Sequence, residues 1–94
     1  MYRIDVTVTA GRRKPIVIDV DEAFTLKKAT LEKGKGLTFV SVHLGDEVLF
    51  NKEMSLVMAI NLLNIRAPTI PKGELRLVVR NPSTQPIELV LKIE

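Results

Sequence analysis

Ser55-Leu56-Val57-Met58-Ala59-Ile60-Asn61-Leu62-Leu63-Asn64-Ile65 decides the fold class of this chain. On both sides of it apolar residues recur with a period of two. Inside it the alternation stops, and eight of the eleven residues are apolar. At helical spacing, Leu56, Ala59, Ile60 and Leu63 share one face and Met58, Leu62 and Ile65 a second, with Val57 between them. Only Asn61 and Asn64 mark a polar stripe. Ser55 is the expected N-cap, and Pro68 ends the helix because proline cannot continue it. A surface helix of a small domain carries an apolar stripe about 100° wide; this one is wider. Either it plugs the open end of a β-structure beneath its own loops, or its second face meets a partner subunit. Met54 and Met58 supply the adaptable surface that such contacts use.

Upstream, Tyr2, Ile4, Val6 and Val8 alternate with Arg3, Asp5, Thr7 and Thr9, which predicts a strand with one buried face. After the loop 10–15, Ile16, Ile18 and Val20 predict a second strand, expected to pair with the first across that basic loop. Residues 21–33 fit two descriptions. One is a helix capped by Asp21 and stopped at Gly34. The other is a strand broken by a bulge at Lys27-Lys28, which Thr25 and Thr30 favour. Residues 37–44 are apolar on both sides, as in a central strand covered on two faces. Gly45-Asp46 then turns a hairpin into residues 47–50.

Downstream, residues 74–80 and 87–93 alternate around a polar turn at 81–86. The sum is about seven strands and one short helix near 55–65. That is an all-β or mainly β chain, a single antiparallel β-sandwich spanning residues 1–94. A chain of 94 residues buries roughly 60–70% of its unfolded surface, enough for one core.

The chemistry-bearing residues are sparse. There is no cysteine, which removes thiolate metal sites, disulfides and a cysteine nucleophile. His43 is the single histidine; without a second histidine it reads as a hydrogen-bonded residue on a sheet face rather than a general base or metal ligand. Asp46-Glu47 and the acidic run at Asp19, Asp21 and Glu22 read as solvated strand ends, since no calcium-loop pattern follows them. No phosphate-binding glycine loop or nucleophile elbow occurs. The chain is expected to be non-enzymatic, with no cofactor. The opening residues lack the apolar core of a signal peptide, and no apolar run approaches the ~20 residues of a membrane helix. These features fix no compartment. A single glutamine, Gln85, beside abundant Lys and Glu suggests a heat-adapted source.

The basic residues form two clusters, Arg12, Arg13 and Lys14 in one loop and Lys27, Lys28, Lys33 and Lys35 around another. Together they suggest a phosphate-holding patch. The net charge of +3 and the shortage of aromatic platforms for bases argue for solubilising loops instead.

The segment Gly73-Glu74-Leu75-Arg76-Leu77-Val78-Val79-Arg80-Asn81-Pro82-Ser83, with Pro86 and the alternating last strand, resembles the closing hairpin of small jelly-roll or β-sandwich domains in viral and phage structural proteins. The resemblance implies a building block that works by packing into an assembly, and it transfers no functional residue. The first functional expectation is therefore a structural or assembly module, a homo-oligomer or a packing partner in a larger complex, with Met58, Leu62 and Ile65 at its interface. The second is a nucleic-acid-binding protein using the seven basic residues above. The third is a carbohydrate- or ligand-binding sandwich.

Overall fold

A computed structural model describes residues 1–94. The alternating segments form seven strands of four residues or more: β1 (Tyr2–Val8), β2 (Arg13–Val20), β4 (Ala29–Lys33), β5 (Thr38–Leu44), β6 (Glu47–Phe50), β9 (Gly73–Arg80) and β10 (Ile87–Ile93). Three two-residue strands fill gaps between them: β3 (Phe24–Thr25), β7 (Met54–Ser55) and β8 (Thr69–Ile70). The helix α1 runs Leu56–Arg66. One sheet has the order β1-β10-β4, and the other β2-β9-β5-β6 with β7 also on β5. A two-stranded β3-β8 ribbon stands apart.

The pairing is nested and antiparallel. β1 pairs β10, β2 pairs β9, and innermost β5 pairs β6. A long hairpin folded over itself in this way is a jelly roll, which ordinarily has eight strands. In the nesting, the element left to partner β4 is α1. The helix therefore stands where the eighth strand would close the three-stranded sheet. The two inner faces meet in a core that includes Val8, Ile18, Phe39, Val79, Leu89 and Leu91.

Two expectations change. β1 and β2 do not pair with each other; they lie in different sheets. Their turn carries the chain across the sandwich, so that Ile4 and Val8 bury their side chains opposite Ile16, Ile18 and Val20. Facing each other satisfies both apolar faces as well as lying side by side, and the terminal strands supply the ladder bonds. Residues 21–33 are extended rather than helical, but Lys27-Lys28 is no bulge. It is a crossing between β3 and β4, held by Leu26 N–H to Pro68 O (2.9 Å) and by Lys27 and Lys28 N–H to Glu94 O (2.8 and 3.3 Å). Gly45, at φ 56°, takes the first position of the β5–β6 turn, a left-handed conformation that glycine adopts at no steric cost.

The outer face of the three-stranded sheet is charged. Glu32 on β4 lies 2.9 Å from Lys92 on β10 and 3.6 Å from Arg3 on β1. The Lys92 hydrogen bond, with the charges of Lys92, Arg3 and Lys33, holds the Glu32 carboxyl below its usual value against the opposing effect of desolvation. A depressed carboxyl adds stability above its unfolded pKa and loses it as pH falls through the folded value. Glu32→Gln is therefore expected to lower stability slightly at neutral pH and to converge with the parent in strong acid. Paired urea titrations across that range check this.

Candidate functional site

Ser55, the last residue of β7, caps α1, its Oγ accepting from Met58 N–H at 3.1 Å. At the other end Ala67 adopts φ 44°, and its N–H donates to Leu63 O. Between these caps the two predicted faces separate. Leu56, Ala59 and Ile60 are buried in the sandwich. Met58, Leu62 and Ile65 stand 56%, 36% and 79% exposed. At i, i+4 and i+7 they form one apolar stripe along the outside of the helix. Val48 and Leu49 on the edge strand β6 are exposed as well. Leu49 and Leu62 are the exposed leucines of one rim.

That rim opens on a cavity of about 280 Å³ between the sheets and beneath α1. Its walls come from both sheets, with Ile18 and Leu77 on one side and Leu91 and Ile93 on the other, and from Ile60 and Leu63 of the helix. The segment with Pro68, Ile70 and Pro71 covers it. Twenty-one of its 25 lining residues are hydrophobic, and Arg66 is the only charged one. The space follows from the fold, since a helix in a strand's position meets the opposite sheet along one stripe and leaves a gap beside it.

Arg66 ends the helix and points no cation at a carboxylate within ion-pair distance; the ion pairs of the molecule involve Arg3, Arg13, Lys33, Arg80 and Lys92. Sequence reasoning missed Arg66 because it follows directly after the apolar stretch, where a basic residue is ordinary for a helix end.

The basic residues do not form one patch. Lys27 and Lys28 lie beside Glu94, at the end of the sandwich where β1 begins. Arg12, Arg13, Lys14, Lys33 and Lys35 lie at or near the opposite end, where the β1–β2 and β4–β5 turns cross between sheets. Within that second group Arg13 faces Glu53 at 3.7 Å and Lys33 faces Glu88 at 3.3 Å.

His43 and Ser41 share a hydrogen bond of 2.8 Å between Nε2 and Oγ. Both are on β5, two residues apart. The cross-strand neighbours of His43 are Arg76 and Val48, so no carboxylate orients the ring from the adjacent strands. Asp19, Asp21, Glu22, Asp46 and Glu47 are exposed. No three of the His, Asp and Glu side chains converge on a common point. No helix is long and apolar enough to cross a membrane. No family model, curated protein or solved structure matches the chain.

Proposed function

We propose that this protein is a non-enzymatic assembly module that self-associates through the outer face of α1, as jelly-roll components of viral and phage particles pack into larger structures. The observation that carries the reading is the exposed stripe of Met58, Leu62 and Ile65 on a helix whose opposite face, with Leu56, Ala59 and Ile60, is turned into the sandwich. The occupant we assign to the stripe is a second copy of the chain. The stripe holds no charge that would select an oppositely charged partner, and a two-fold arrangement sets identical apolar patches against each other. The exposed edge of β6 extends the contact, since antiparallel pairing of an edge strand with its own copy is self-complementary. The charged outer face of the other sheet opposes association there.

Met58→Glu tests this. It is expected to weaken the dimer about 30-fold or more, the equivalent of ~2 kcal/mol at a central contact. The subunit's own stability should change by no more than about 0.5 kcal/mol, as for an exposed site. Mass in solution at low micromolar concentration, with a urea titration of the same variant, measures both. A parent chain that is strictly monomeric overturns the proposal. So does unfolding of the subunit by this substitution, which would make Met58 part of the core.

A further inference from the structure

We propose that the cavity beneath α1 takes the alkyl tail of a single-chain anionic amphiphile, a fatty-acid-like molecule, with its acid head held by Arg66. The walls exclude most other solutes. A sugar, nucleobase or buried water needs several polar partners, and the lining offers only Thr69 beside Arg66 and the Tyr2 hydroxyl. The lining includes exposed residues, Leu49 and Leu62, and wholly buried ones, Leu56 and Leu91, so the cavity meets solvent at one part and the core at another. The single charged group stands with the lining and lacks a carboxylate partner, so an acid at that position gains a counter-ion without displacing one. The last carbonyls of α1 carry partial negative charge. The head is therefore gripped by the guanidinium to one side of the helix axis.

The cavity lies within one copy, but its rim residues Leu49 and Leu62 also belong to the proposed self-contact, so the titration is run on Met58→Glu as well as on the parent chain. The test uses the whole chain with decanoate and decan-1-ol as probes, followed by methyl NMR titration. Decanoate is expected to give saturable shifts at Leu56, Leu63 and Leu91. Arg66→Gln should weaken decanoate about three- to fivefold, the range of an exposed ion pair, and leave decan-1-ol unchanged. Ala59→Phe, which fills the space from the helix side, should abolish both. Should that variant not fold, the smaller Ala59→Leu serves, with the same loss expected. Absence of saturable shifts at the buried methyls overturns the proposal. Equal decanoate affinity in Arg66→Gln overturns it too. Shifts confined to Met58 and Ile65 would mean adsorption to the outer stripe, and equally overturn it.

Discussion

Asn81→Ala is expected to cost ~3–4 kcal/mol, the largest loss from any single polar side chain in the molecule. Asn81 is fully buried. Its Nδ2 donates to Val8 O at 2.9 Å and to Gln85 O at 2.8 Å. Its Oδ1 accepts from Ser83 N–H at 2.9 Å and from Ser83 Oγ at 2.7 Å. Its backbone exchanges bonds with the neighbouring turn, Gly11 N–H to Asn81 O and Asn81 N–H to Arg12 O, both 2.9 Å. The position explains the concentration of bonds. At this end the chain crosses between sheets in the β1–β2 and β9–β10 turns, so no ladder joins them. Asn81 supplies the missing bonds and ties the first crossing to the last. In urea the midpoint should fall with little change in slope, since the exposed surface on unfolding is the same. Asn81→Asp sharpens the test. It keeps an acceptor for Ser83 but sets a carboxylate oxygen against Val8 O and Gln85 O, and buries a charge. It should be at least as damaging as alanine at neutral pH. A loss below about 1 kcal/mol for both variants would mean water replaces the amide there.

In the sequence Asn81 is one polar residue in a polar turn, and nothing local separates it from Ser83 or Gln85. Its importance comes from Val8, distant in sequence but adjacent across the sandwich. The same distinction runs through the fold. Alternation located the strands well: residues 87–93 coincide with β10, and the helix differs from 55–65 by one residue at each end. Period-two patterning reports a buried face, and each strand has one whether its neighbour is β2 or β10. It carries no record of partner, so the expectation that β1 pairs β2 failed although both strands exist, β2 starting at Arg13 inside the expected loop 10–15. β3, β7 and β8 have two residues each, too few to show a period at all.

The site was legible in the same uneven way. The split of α1 into two apolar faces could be read from spacing alone, and the buried and exposed residues fall on the faces so defined. The cavity could not be read. It is a space between side chains from distant parts of the chain, Ile18, Leu63, Leu77 and Leu91 among them, and every one looks like ordinary core in its own segment. Asn64 carried a signal of the joint between helix and sheet: an amide on a strongly apolar helix reads as a solvated stripe, yet only Asn61 is exposed and Asn64 is part-buried against Ala29.

Asn64→Ala is expected to cost about 2–3 kcal/mol, because it opens the joint between helix and sheet. In an antiparallel ladder, alternate residues direct their backbone groups to opposite sides. Lys28 exchanges bonds with Glu94, the residue just past β10, so Ala29 turns its N–H and C=O toward the side where an eighth strand would lie. Asn64 meets them there. Its Oδ1 accepts from Ala29 N–H at 2.7 Å and its Nδ2 donates to Ala29 O at 2.8 Å. One side-chain amide thus makes the pair of bonds that a strand residue would make, and lets a helix close the sheet. Removal leaves both Ala29 groups short of partners beside a buried side chain. Amide exchange at Ala29 should quicken more than global unfolding accounts for, since α1 can then lift from the β4 edge without the sandwich opening. Asn64→Asp distinguishes lost bonds from lost packing. As a neutral carboxyl it donates to Ala29 O and accepts from Ala29 N–H, as the amide does; ionised, it faces that carbonyl with a charge. The folded state then favours the protonated acid, so its pKa rises on folding. The recovered stability should be present below the unfolded carboxyl pKa and lost as pH rises through the folded one. Equal losses for Asp and Ala at every pH would show that the amide acts by its volume, and the sheet-closing role would fall.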